Sequence, residues 1–368
     1  MTRELVAGAG DEFRLAVRTW LARAVQDLEN SSVDDIAVRT AWDKQLFEAG
    51  LAGLTWPTKY GGQGLSLLEE YIFHEESART GAPEGNSRIG RILTGPLLIK
   101  HGSAEQQERY LEPMLQGREV WCQGFSEPSA GSDLANIKTR AERVGDSYRV
   151  SGQKIWTSFA DQADFCLLLA RTSADAPRHR NLGMFLLDMN QDGVEVRPIK
   201  RITGDSTFSE VYFDGAAVHE RDRVGGETDG WKMAMAVLTD ERGPIEAITR
   251  YMNMTRGTTL LRGCCAAHQS DPQLDEVYAR VETIHWHAMR SLENTLAGVL
   301  DRNVDSVSKL MWSHTWQDLA SYGLSLGCPA HEEFWQRQYM ESRAATIFSG
   351  STQIQRNIVA ERTLGLPR

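Results

Sequence analysis

Cysteine is scarce. The five residues, Cys122, Cys166, Cys264, Cys265 and Cys328, are odd in number and include no C-x-x-C pair. That argues against a disulfide-framed scaffold and against a zinc knuckle. Neighbours such as Cys264 and Cys265 seldom bond to each other, so reduced thiols in a reducing compartment are expected. Proline numbers only 11 in 368 residues, too few for a Pro-rich or collagen-like chain despite 32 glycines. Basic residues are outnumbered by acidic ones, 40 to 50, for a formal charge of −10. Nucleic acid calls for a basic field, so no nucleic-acid partner is expected. No clean apolar run is longer than Phe165–Ala170, far short of the ~20 residues of a helical membrane span. Met1–Phe13 has neither the apolar stretch of a signal peptide nor transit-peptide character. The expectation is a cytoplasmic protein with no membrane partner. Several motifs are missing as well: no G-x-G-x-x-G after a strand, no P-loop and no H-E-x-x-H. Gly323–Gly327 spells G-x-S-x-G, but it follows a helical stripe rather than a buried strand, so it reads as a chance match. His285 and His287 sit two apart on an expected helix and point to different faces, so no metal site is expected.

What is present is globular: 41% apolar and 24% charged residues. The length exceeds one ordinary core and implies two or three domains. The pattern changes twice, predicting an α+β chain with an N-terminal helical domain (1–119), a central β domain (120–225) and a C-terminal helical bundle (226–368). Phe13, Val17, Trp20, Leu21, Ala24 and Leu28 form one helical stripe. Ser66-Leu67-Leu68-Glu69 and Ser103-Ala104-Glu105-Gln106 carry the capping-box spacing. Tyr148–Val150, Phe165–Ala170, Met184–Leu187, Val194–Val196 and Val211–Phe213 read as strands, the first after a Gly145-Asp146 turn. No helical stripe interrupts them, which excludes βαβ units. Helical spacing returns in Leu274, Val277, Val281 and Ile284, and again from Val307 to Tyr322. Pro244, Pro272 and Pro329 mark breaks or kinks.

Three segments carry the functional signal: Trp121-Cys122-Gln123-Gly124-Phe125-Ser126-Glu127-Pro128-Ser129-Ala130-Gly131-Ser132-Asp133-Leu134; Lys154-Ile155-Trp156-Thr157-Ser158; and Ile347-Phe348-Ser349-Gly350-Ser351-Thr352-Gln353-Ile354-Gln355-Arg356. Either of the first two alone reads as a polar loop or a core tryptophan. In this order the three resemble the acyl-CoA dehydrogenase family, with support from Gly230-Trp231 and Glu361–Pro367. The resemblance spans nearly the whole chain and implies the family fold: helical domain, β-barrel-like domain, helical bundle. It also implies FAD as cofactor and an acyl-CoA substrate, in lipid metabolism of the β-oxidation or sterol-degradation type. An electron-transferring flavoprotein would accept the electrons, and the assembly would be a homo- or hetero-oligomer, dimer or tetramer. Carried over residue by residue, the implied cofactor contacts are Phe125, Ser126, Ser132, Trp156, Thr157, Ser158, Ser351 and Gln353. Ser132 and Ser349 are the implied thioester-side contacts. The chemistry is consistent with this. A flavin edge that gathers negative charge on reduction needs donors such as Ser126 and Ser158, and Trp156 offers a flat apolar wall.

The implied reaction is α,β-dehydrogenation to the trans-2-enoyl-CoA, in which a carboxylate takes the α-proton and the β-hydrogen leaves as hydride. Many family members place that carboxylate just before the C-terminal motif's glycine, where this chain has Ser349. A serine hydroxyl is a poor base, but its backbone N–H can still hold the thioester oxygen. Isovaleryl-CoA and long-chain dehydrogenases use a Glu followed by Arg on an earlier helix, and Glu241-Arg242 stands at the matching place. Glu241 is therefore the implied base; outside the family context, Asp240-Glu241-Arg242 is an ordinary solvated helix turn. Two family features are missing: the Arg-x-x-Phe segment that reaches a neighbouring subunit's FAD, and the late glycine stretch, where Ser325–Pro329 stands instead. Two further readings therefore stay open. The chain is a catalytically silent partner completing another subunit's FAD site, or an oxygen-reactive flavoenzyme of the same fold.

Overall fold

The computed structural model describes residues 10–26, 28, 36–240, 243–264, 271–299 and 304–367. In chain order the helices are α1 Asp11–Gln26, α2 Ile36–Glu48, α3 Leu67–Thr80, α4 Gly95–His101, α5 Ala104–Leu115 and α6 Gly230–Asp240. They continue with α7 Pro244–Cys264, α8 Pro272–Leu296, α9 Val304–Ser325, α10 Glu332–Ala345 and α11 Thr352–Ile358. The strands are β1 Trp121–Gly124, β2 Arg140–Val144, β3 Ser147–Ser158, β4 Phe165–Arg171, β5 Leu182–Asp188, β6 Val194–Ile199, β7 Phe208–His219 and β8 Arg223–Val224. This is the α+β fold expected: helical regions at both ends and a sheet between. Both capping boxes form, Ser66 with Glu69 and Ser103 with Gln106. Pro244 and Pro272 open α7 and α8, where a missing N–H costs nothing.

Two compact units result, each assembled from non-adjacent stretches. The first comprises Gln26–Leu65 and Pro83–Asp240 and contains the eight-stranded sheet, in the order β6-β7-β3-β2-β4-β5-β8, with β1 paired to β4. β4 and β5 are buried along almost their whole length, which is why they read as continuous apolar runs rather than alternating ones. Their side chains join Tyr148, Val150, Val211 and Phe213 in one core. β2 and β3 form a hairpin through Gly145-Asp146, with Val144 opposite Ser147. β1 and β2 were not foreseen as strands, because four residues of β1 and the exposed β2 carry no periodic signal of their own.

The second unit comprises Gly8–Val25, Ser66–Ala82 and Glu241–Arg368. Its core includes Ile248, Leu261, Val281, Ile284, Leu292, Leu319 and Trp335. α1 buries Phe13, Val17, Leu21 and Ala24, four of the six stripe residues. It is tied to α3 by Arg14 and Arg18, which both pair with the buried Glu76 at 2.7 and 2.9 Å. The G-x-S-x-G letters lie at the end of helix α9, and Ser325 Oγ donates back to Tyr322 O at 2.7 Å, so there is no nucleophile elbow. The glycine there serves packing. A Cβ on Gly323 would stand 2.3 Å from Trp335 Cδ2. Gly323→Ala is accordingly expected to cost about 1–3 kcal/mol by overpacking, read as a lower urea midpoint at unchanged slope.

The expectation of reduced thiols is corrected at one position. Cys328 is disulfide-bonded. An odd count with no C-x-x-C pair does not reveal which cysteine is bonded. Cys122 and Cys166 are free and buried. Among the described residues no helix is long and apolar enough to cross a membrane, and no group of three or more His, Cys, Asp or Glu is placed to hold a metal ion.

Candidate active site

In the sheet unit, the first two motifs are brought together by one buried ion pair. Lys154, fully buried on β3, reaches back 27 residues to Glu127, with Nζ 2.8 Å from Oε1. The same Nζ donates to Phe125 O at 3.0 Å. Glu127 accepts the N–H of Lys138 at 2.6 Å and of Thr139 at 2.9 Å. Its own backbone closes a tight turn with Ala130, with reciprocal bonds of 3.1 and 3.0 Å. One carboxylate thus ties the start of the Pro128–Ile137 loop to its end and to the neighbouring strand. Burial alone would raise the Glu127 carboxyl, but Lys154 and the donated N–H groups outweigh it and hold it below the usual range. Burial pushes the Lys154 ammonium down against the pull of Glu127. Neither residue was singled out from the sequence. The one available signal was a lysine inside a strand whose neighbours alternate into the core.

The pair sets the surroundings of the predicted contacts. Ser126 is half-buried, and its carbonyl accepts Ile155 N–H at 2.9 Å, which stitches the two motifs together. The register of β3 against β7 breaks between Lys154 and Thr157. This bulge re-aims Trp156, which takes φ 60 and stays 57% exposed. A large indole held open in a left-handed conformation is a costly arrangement that a core tryptophan does not need. Phe208 meets it edge-on, at 6.2 Å and 85°. Thr157 is fully buried, and its Oγ1 has no partner. Ser158 is half-buried. Phe125 is 6% exposed, so it and Thr157 point into the unit and have mainly backbone to offer a ligand. Ser132 is exposed beside Asp133, which pairs with Arg178. The open indole face, tied through Ile155 to Ser126 and two residues before Ser158, fits the flat wall needed by the flavin that the resemblance implies.

The third motif lies in the helical unit. Ser349 and Gly350 are both left-handed, at φ 52 and 89. The Ser351 hydroxyl is committed to capping α11, accepting Ile354 N–H at 3.4 Å. Gln353 is exposed. A residue not singled out, Gln355, is the buried glutamine of the pair, and its Nε2 donates to Ser349 O at 3.0 Å. Glu241 lies outside the described residues; α6 ends at Asp240, and Pro244 begins α7.

Comparison with known proteins agrees along the whole length. The signatures of the acyl-CoA dehydrogenase N-terminal, middle and C-terminal domains match residues 9–118, 122–216 and 228–364. Acyl-CoA dehydrogenase IpdE1 of Mycolicibacterium smegmatis is 41% identical, covering 97% of this chain and 98% of its own. IpdE1 of Mycobacterium tuberculosis is 40% identical, covering 97% and 98%. The solved Tcur3481–Tcur3483 steroid ACAD superposes with a TM-score of 0.85 at 26% identity, covering 97% of each chain. The ChsE4–ChsE5 complex from Mycobacterium tuberculosis does so with a TM-score of 0.78 at 25% identity, covering 100% and 99%.

Proposed function

Because this chain belongs to the acyl-CoA dehydrogenase family, FAD-dependent oxidoreductases, we propose that it dehydrogenates a steroid-derived acyl-CoA at its α,β bond to the trans-2-enoyl-CoA. The observation that carries the site assignment is Trp156, held open in a left-handed bulge and stitched through Ile155 to Ser126. When bound, FAD supplies the acceptor for the β-hydrogen as hydride. The chain's own residues do the rest. Trp156 walls the ring, Ser126 and Ser158 donate to its polar edge, and Ser132 approaches on the thioester side. Ser351 and Gln353 mark the motif that meets the rest of the cofactor, and Phe125 and Thr157 contribute backbone. Ser349 N–H holds the thioester oxygen, so that charge gathering there is stabilised. Glu241 removes the α-proton. The steroid class rests on the solved steroid ACAD, whose chain is 26% identical. A mixed oligomer, with an electron-transferring flavoprotein as acceptor, completes the reading; the ChsE4–ChsE5 complex is a heteromeric assembly of related fold.

The test is anaerobic titration of the flavin-loaded protein with short, long and polycyclic acyl-CoAs. Polycyclic thioesters are expected to bleach the flavin absorbance, with little bleaching by short ones. No bleaching by any thioester would overturn the dehydrogenase reading. The presence of Ser349 where many relatives carry their base favours a second reading, a silent partner subunit. Such a chain would stay flavin-free or insoluble until co-expressed with its partner.

A further inference from the structure

We infer that Gln355 and Lys309 are positioning residues for the Ser349 amide; the inference rests on the proposed role of that amide at the thioester oxygen. Two consecutive left-handed residues, one of them a serine, persist only where the surroundings over-determine them. Here they are fixed from both sides. Gln355, 1% exposed in α11, donates Nε2 to Ser349 O at 3.0 Å, which sets the plane of the peptide after Ser349. A Cβ on Gly350 would stand 2.2 Å from that Nε2, so only glycine fits beneath it. Gln355 Oε1 is buried without a partner. A residue kept for packing alone would be apolar there and avoid that cost. Ser351 caps α11 at its first turn and so fixes Gln355 relative to the turn it grips.

The residues before Ser349 are braced from α9. Lys309 is 1% exposed, and its Nζ donates to Ala345 O, the last residue of α10. That nitrogen lies 4.8 Å from the Phe348 ring centroid and 4.9 Å from that of Trp312. A cation at a helix C-terminus is favourable, and so is one over aromatic faces. Phe348 is 41% exposed, so burial alone does not fix it; its N–H donates to Ala344 O at 3.1 Å, and the ammonium adds a restraint on the ring. Lys309 therefore acts on Phe348 and Gln355 on the Ser349 carbonyl. By this inference the two side chains set the peptides on either side of Ser349 before any substrate arrives, as a preorganised donor requires.

The test uses the full chain loaded with FAD, in the variants Gln355→Met, Lys309→Met and Lys309→Arg. The first readout is steady-state turnover of the thioester that best bleaches the wild type. The second is the long-wavelength absorption of the complex with acetoacetyl-CoA, whose acidic α-proton can leave without hydride transfer. Both methionine variants are expected to lose about 10- to 100-fold in kcat at near-constant KM, the scale of a misplaced donor, together with the acetoacetyl-CoA band. Lys309→Arg is expected to recover most of both. Wild-type kcat and band in flavin-replete methionine variants would overturn the inference. If Gln355→Met does not fold, the Lys309 pair decides: equal turnover and equal band in wild type, Met and Arg overturn it. A flavin-loaded wild type that neither bleaches nor gives a band would instead overturn the reading of the site, and this inference with it.

Discussion

Glu241→Gln is expected to give a protein that keeps its flavin absorbance and is no longer bleached at a measurable rate by the thioester that bleaches the wild type. Glutamine keeps the size and polarity of the side chain and removes only its capacity to take a proton. Loss of a positioned general base lowers rates by about 10²–10⁴-fold, and no other carboxylate stands in the C-terminal motif, where Ser349 occupies the usual position. Binding should survive, because the hold proposed on the thioester oxygen is a backbone N–H that the substitution does not touch. The measurement is stopped-flow bleaching alongside flavin content per chain. Bleaching at the wild-type rate would remove Glu241 from the mechanism while leaving the cofactor site intact.

Lys154→Met is expected to be the most damaging single change in the sheet unit. It strands the Glu127 carboxylate in the interior and leaves Phe125 O without its donor. Breaking a buried pair by removing one partner costs about 3–5 kcal/mol, a large part of a typical folding free energy. Glu127→Gln should cost less, because the amide oxygen can still accept from Lys138 and Thr139. Combined, the two should fall well short of the sum of the singles, since the residues act on each other. Flavin content should fall with stability, because Ser126 and Trp156 sit one residue and two residues from the pair. Denaturant unfolding and flavin stoichiometry test this together. A Lys154→Met protein that unfolds at the wild-type midpoint and retains its flavin would show that the pair is dispensable.

Much of this was legible in the sequence, for identifiable reasons. Ser66/Glu69 and Ser103/Gln106 are local devices whose partners lie three residues away, so spacing reveals them. Phe165–Ala170 and Met184–Leu187 read as strands because the core takes both their faces. Long-range partnerships were not legible. Glu127 reads as part of a polar loop and Lys154 as one letter of a motif until the fold sets them 2.8 Å apart. In the C-terminal motif the glutamine at 353 drew attention and the buried one is at 355, because helical phase decides which of the two faces inward. Trp156 offers a flat apolar wall by residue type alone, but neither its exposure nor its left-handed backbone follows from its letter.

The parallel pairing of β1 with β4 bears on how the protein reaches this state. Trp121 meets Phe165 only after the chain has run through the whole β2–β3 hairpin between them. Such a contact closes a long loop, and loop closure is opposed by chain entropy before any interaction rewards it. The hairpin at Gly145-Asp146 closes over two residues and is expected to organise early. The segment from Cys122 to Ser132, carrying the first motif, is then among the last to be captured. A cofactor gripping that segment in the folded chain would bind the native state alone and so raise the apparent melting temperature as its concentration rises. Supplementing the medium during expression should therefore increase the yield of soluble chain, a dependence set by assembly order rather than by turnover.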